Sequence, residues 1–297
     1  MPTTAANPCR FPISAASTQY VNARTQFQLH TLLTEQRHVN TWHLSEVAAD
    51  DPEQALQQLF SVDQDIVRAF AALADDPQRM AALRRASQAV QEALRNGHRI
   101  YFYGTGATGR LAQTLESALW RPFWEQLRND PVWPQIATVL PDAQTRVRGE
   151  ITGGDRALIS SLEGFEDLQL IGALQLSDHG IGPEDVLFAV TEGGETSAVI
   201  GTALAAADQV GAETDQVWFV YNNPDEVLRP FERSGRVLDD PRIHKIPLPT
   251  GPQAITGSTR MQAATTSLYV LGLILEDAAR ALLLPHLNAQ DAARLGL

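Results

Sequence analysis

Hydrophobic positions along the chain fall into two textures. From about Asn22 to Gln36 apolar residues recur at helical spacing. From about Asp51, Pro52 sits early and Leu56, Leu59, Phe60, Ile66, Val67 and Phe70 form a stripe of period 3.6. A third stripe runs from about Pro77 to Asn96 and stops at Gly97. These read as helices packing one face on a core. Residues 1–22, small, polar and Pro-containing, read as a flexible arm.

The second texture begins at Arg99. Short apolar runs alternate with helical patterns, which predicts a parallel α/β sheet. Strands are expected at 99–103, 185–190, 216–221 and 242–246, with a further one at Ile136–Leu140. Helices are expected at Leu111–Trp120, Asp155–Ser161, Glu163–Leu176 and Ser197–Val210, with a short one after Asn222-Asn-Pro and a long one ending near Leu284. Residues 120–135 hold three Trp and three Pro and read as an irregular surface segment. The organisation expected is a helical N-terminal segment over 23–98, one α/β domain over 99–285 and a tail over 286–297.

Three expected strand-to-helix junctions, at 104–110, 191–197 and 256–260, are dense in Gly, Ser and Thr. Ligands of open α/β sheets bind outside the carboxyl ends of the strands. Helix N-termini there offer unpaired N–H groups and partial positive charge. Glycine lets the backbone approach a ligand, and hydroxyls add donors. The candidate ligand is therefore small, anionic and hydroxyl-rich, and a sugar phosphate fits. Gly104, Gly106 and Gly109 also match GxGxxG, but the region about 20 residues on, Glu125–Pro134, is not strand-like and offers no ribose-binding acid at a strand end. Arg110 and Leu111 stand where a P-loop needs Lys and Ser/Thr. NAD and ATP are thus disfavoured, and no cofactor is expected. Glu192 and Glu195 are odd in a phosphate loop. Either they point away, or one of them handles a sugar hydroxyl or a proton. Glu116 and Glu163 are candidate acid–base groups. Arg110 and Arg260 could reach a phosphate or cap structure.

Charge and composition narrow the partners. The 297 residues are 44% apolar and 20% charged, as in an ordinary globular protein. Acids outnumber bases 35 to 23, a formal net charge of −12, so nucleic acid and anionic membranes are poor partners. Cys9 is the single cysteine, which excludes an internal disulfide, and the seven histidines show no metal-binding spacing. No basic-then-apolar leader pattern is seen, and runs such as Leu268–Leu275 are too short to span a bilayer. A cytoplasmic location is expected.

Taken together, Leu32-Leu-Thr-Glu35, Ser61-Val-Asp-Gln-Asp65, Gly104–Leu111, Gly153-Gly-Asp-Arg-Ala157, Leu162-Glu-Gly-Phe-Glu-Asp167 and Thr256-Gly-Ser-Thr-Arg-Met261 resemble the sugar isomerase (SIS) domain family. The nearer resemblance is to its branch of N-acetylmuramic acid 6-phosphate etherases and glucokinase regulatory proteins, over about residues 30–285. It implies a three-layer αβα sandwich with a five-stranded parallel sheet, a homodimer, and sugar phosphate at the strand ends. It also implies elimination of a lactyl ether followed by hydration, with Glu163 as base. Gly106, Thr108, Gly109, Arg110, Glu192, Gly193, Gly194, Glu195, Thr196, Ser258, Thr259 and Arg260 would line the ligand site.

The pattern departs from that branch at several positions. The family's acid falls at Ala118, with Glu116 two residues earlier, about 200° around an α-helix. The loop serine is Gly193, and a Lys after the TGSTRM motif is Gln262. The family's C-terminal helical region does not follow Leu284. Three readings therefore stand: an etherase-type lyase, a non-catalytic sugar-phosphate sensor acting on a protein partner, and an aldose–ketose isomerase using Glu192 or Glu195 as base.

Overall fold

The computed structural model describes residues 14–23 and 28–297. Cys9 and most of the expected arm lie outside the described residues. Its described end, Ala15–Ala23, is a helix with no buried residue.

Five parallel strands form the sheet: β1 (Ile100–Gly104), β2 (Val147–Ile151), β3 (Val186–Val190), β4 (Val217–Tyr221) and β5 (His244–Pro247). Their order is β2-β1-β3-β4-β5, and every neighbouring pair is parallel. Alternation along the strands creates the layers, because successive side chains point to opposite faces. In β1, Ile100 and Phe102 join one apolar cluster, with the helices Pro77–Arg95 and Gln262–Leu283. Tyr101 and Tyr103 join the other, with Val199, Ile200 and Ala203 of the helix Ser197–Val210. This is the αβα sandwich expected, with the N-terminal helices in front of it. One register row carries Phe102, Phe188, Trp218 and His244 across four strands. Their rings lie 5.0, 6.1 and 4.7 Å apart in succession.

Several local expectations are corrected. The strand expected at Ile136–Leu140 is the end of a short helix, Trp133–Ile136, and turns. Its buried Ile136 and Leu140 are four apart, a helical spacing. The strand that the sequence pattern missed is β2, at one edge of the sheet, whose Arg148 and Glu150 alternate with buried Val147, Gly149 and Ile151. An edge strand covered on one side lacks the continuous apolar run that marks buried parallel strands. Residues 29–35 form two 3₁₀ turns rather than a helix over Asn22–Gln36. The stripe from Asp51 is two helices, Pro52–Ser61 and Gln64–Ala74. The helix expected from Glu163 starts at Gln169, because Gly164 at φ +85° turns the chain first. The tryptophan-rich stretch is helical at Arg121–Arg128, with Trp120 and Trp124 buried 5.4 Å apart.

The helix Ala107–Thr114 lies unusually close to β2, which fixes the first glycine loop in place. A Cβ on Gly149 would fall 2.2 Å from the Ala112 carbonyl oxygen, and one on Gly109 would fall 2.3 Å from Ile151 Cγ1. Overpacking of this kind costs about 1–3 kcal/mol. Gly149→Ala is therefore expected to lower the melting temperature by several degrees, and an unchanged melting curve would contradict the close packing.

Candidate functional site

The strand order reverses between β1 and β3, so the chain leaves these neighbours in different directions and opens a crevice at their carboxyl ends. Three connected cavities occupy it. The first, about 350 Å³, is lined by Glu35, Thr105, Thr108, Glu166, Asp167, Glu192, Thr259 and Arg260 among others. The second, about 200 Å³, adjoins it at Thr105 and Glu166 and includes Gly106, Arg110 and Glu163. The third, about 550 Å³, includes Arg110, Thr114, Ser161, Arg260 and Thr265. Such volumes suit small ligands. The glycine-bearing loops after β1 and β3 thus converge with 257–260.

The expected site residues divide clearly. Gly106, Thr108, Arg110, Glu163, Glu192, Gly193, Glu195, Thr196, Thr259 and Arg260 line the crevice. Gly109 and Gly194 line none of its three cavities. Gly109 packs on Ile151, and Gly194, at φ +86°, faces Leu228. Ser258 lines none of the three either. The Thr108 hydroxyl closes the first turn, donating to Thr105 O and accepting from Thr105 N, both at 2.9 Å. Glu116 lies elsewhere, on a π-helical stretch, Leu115–Trp120, and is buried. The Gly149 amide donates to its Oε2 at 2.7 Å, and Arg121 and Arg148 pair with Oε1. Ala118, where the resemblance leads the acid to be expected, is exposed.

The two loop glutamates have different fates. Glu195 turns away to the helix Glu232–Asp239: Arg233 pairs with it at 2.8 Å and the Ser234 amide donates to it at 3.0 Å. This carboxylate at a helix N-terminus satisfies an otherwise unpaired N–H. Glu192 faces the crevice and is 5% exposed. Thr259 Oγ1 donates to its Oε2 at 3.0 Å, and Oε1 has no partner. Burial, outweighing the Thr259 hydrogen bond and the Arg260 guanidinium, pushes its carboxyl up to about 7.

The wall bearing Glu35 was not foreseen as part of the site. Asn223, fully buried, accepts from Thr34 N at 3.3 Å and donates to Thr34 Oγ1 at 3.0 Å and Gly193 O at 2.9 Å. It clamps the segment around Thr34 onto the second loop. Asn222 reaches Leu248 O and Ser267 Oγ, tying in the chain on either side of the third loop. Two adjacent asparagines directly after a buried strand were the available signal, since buried amides need several partners. Burial also raises the Glu35 carboxyl. No cluster of three His, Cys, Asp or Glu among the described residues is arranged to hold a metal.

The raised carboxyl of Glu192 sets a pH dependence. The folded state holds this proton more tightly than the unfolded chain, whose glutamates titrate near 4.3. Below that range the group costs nothing; the penalty grows as pH rises towards about 7 and is complete above it. Glu192→Gln should therefore gain stability relative to the parent between pH 5 and pH 8. A melting-temperature difference that stays constant over that range would contradict the assignment.

No protein-family model matches the chain. It is 33% identical over 243 residues to the N-acetylmuramic acid 6-phosphate etherase of Synechococcus sp. (strain CC9605), covering 82% of this chain and 64% of the relative. It is 28% identical to N-acetylmuramic acid 6-phosphate etherase 2 of Enterococcus faecalis, covering 83% and 70%. A phosphoheptose isomerase structure from Francisella tularensis aligns with a TM-score of 0.47 and 16% identity, covering 75% of this chain and 97% of that one. The chain thus spans about two thirds of the length of the curated relatives it matches. Over about four fifths of its length the chain is thus similar to the N-acetylmuramic acid 6-phosphate etherases.

Proposed function

We propose that the chain binds a sugar phosphate, of the amino-sugar 6-phosphate class, in the crevice between the β1 and β3 ends. The observation that carries this reading is the convergence of Arg110 and Arg260 on one cavity beside the first glycine loop. Neither guanidinium has an ion-pair partner among the described residues, and no carboxylate lines that cavity. The turn at Gly106, φ +56°, opens the helix Ala107–Thr114 there and presents its N-terminus. An anion is stabilised at such a point.

The chemistry proposed is that of the etherase relatives, elimination of a lactyl ether with Glu163 as base. Glu163 and Arg110 line the same cavity, which supports this role. A second reading, binding without turnover as in a sensor that acts on a protein partner, is favoured by one specific observation. Glu116 is committed to Arg121, Arg148 and the Gly149 amide, and Ala118 has no titratable group. Loss of a general acid typically costs about 10²–10⁴-fold in rate. A homodimer in the cytoplasm completes the proposal. Leu170 and Leu174, four apart on the helix Gln169–Asp178, are exposed and offer apolar surface to a second copy. No described helix is long and apolar enough to cross a membrane.

Incubation with N-acetylmuramic acid 6-phosphate tests the chemistry. Lactate release abolished by Glu163→Gln is the outcome expected of the lyase, whereas binding without release selects the sensor. Saturating sugar phosphate should stabilise the fold by about 2–3 kcal/mol. Arg110→Ala combined with Arg260→Ala should weaken binding at least tenfold, about 1.4 kcal/mol. No thermal shift with any hexose 6-phosphate at millimolar concentration would overturn the reading.

A further inference from the structure

The crevice is electrically divided along its length. The cavity holding Arg110 and Arg260 is lined by Thr114, Ser161 and Thr265 and, among the described residues, by no carboxylate. The first cavity meets it at Ala107 and Arg260 and carries the opposite charge. Its Glu195 is neutralised by Arg233. Among the described residues, that leaves Glu35, Glu166, Asp167 and Glu192 facing one cation without an ion-pair partner, Arg260. A phosphate would be repelled from this lobe, because like charges at close range destabilise each other.

Glu192 makes the lobe more than an acidic surface. It is more than nine-tenths buried, anchored through one oxygen by Thr259, and its other oxygen lacks a partner among the described residues. A buried carboxylate oxygen without a donor is costly, and a ligand that supplies the donor recovers that cost. Glu35 reaches the same lobe from a different segment, with its Oε2 about 3.1 Å from where a Cβ on Gly257 would lie. Asn223 holds that segment in place through Thr34. The lobe thus brings together Glu35, Glu166 and Asp167, Glu192, and 257–260, four separate stretches of chain.

Resting on the sugar-phosphate reading in its form of binding without turnover, and not on the elimination chemistry, we infer that the ligand is zwitterionic: an amino-sugar phosphate with a free ammonium group, its phosphate towards Arg110 and Arg260 and its amine received by Glu192 and Glu35. An ammonium supplies three donors and one positive charge, matching an unpartnered carboxylate oxygen in a negative lobe. An N-acetylated sugar offers a single neutral N–H there and adds bulk. A neutral hydroxyl satisfies the oxygen but leaves the charge uncompensated.

Isothermal titration of the full chain with glucosamine 6-phosphate, N-acetylglucosamine 6-phosphate and glucose 6-phosphate tests this. The free amine should bind at least about tenfold more tightly than the other two, the range of one charge-assisted hydrogen bond. Glu192→Gln should narrow the difference to within about threefold, and Glu35→Gln, on a separate segment, should also reduce it. Equal affinities, a preference for the acetylated sugar, or a preference that survives both substitutions would overturn the inference while leaving sugar-phosphate binding intact. Absence of binding by all three would instead remove the sugar-phosphate reading and this inference with it.

Discussion

The site depends on one constraint of parallel pairing, that β1 must lie between β2 and β3. From β1 the chain moves out to the edge at β2 and then crosses back past β1 to β3. The loops that leave β1 and β3 therefore diverge, and the space between them cannot be filled by either connection. Each strand end carries residues that use this space: Thr105 and Gly106 after β1, Glu192, Gly193 and Thr196 after β3. The close seat of the Ala107–Thr114 helix on β2, permitted by Gly109 and Gly149, keeps the first of these loops open towards the crevice.

Two asparagines after β4 then gather what the sheet alone would leave apart. Asn222 and Asn223 are fully buried, and their amides bond to four other stretches of chain. Buried amides hold position strongly because each unmade bond is costly. Through them the N-terminal segment becomes a wall of the site rather than an ornament on the sheet. The same framework holds Glu192 in a place that a stability argument would leave neutral. A buried, half-satisfied carboxylate opposes folding, and such groups tend to cluster where ligands bind.

The two loop glutamates show why local sequence was insufficient. They are three residues apart and were equivalent as text. Glu195 satisfies the N-terminus of the Glu232–Asp239 helix with Arg233 as its counterion, while Glu192 turns to Thr259. Glu116 and Glu163 separate in the same way. One is buried against the β2 backbone and the other lines the crevice. In each pair the deciding partner lies more than 30 residues away or on another layer.

The sequence by itself determined the alternating β/α pattern, four of the five strands, the long helices and the three glycine-bearing junctions. These follow from local periodicity and from residues with special backbone freedom. It also carried the likeness to the etherases. Tertiary structure decided the edge strand β2, whose one-sided burial hides it among polar residues, and the membership of Glu35, Glu166 and Asp167 in the crevice. It also decided which carboxylates face a ligand and which serve the fold. Charge acts through space over several ångströms, and the distance between two carboxylates in a crevice is set by strand order and helix packing, which no local stretch of sequence encodes.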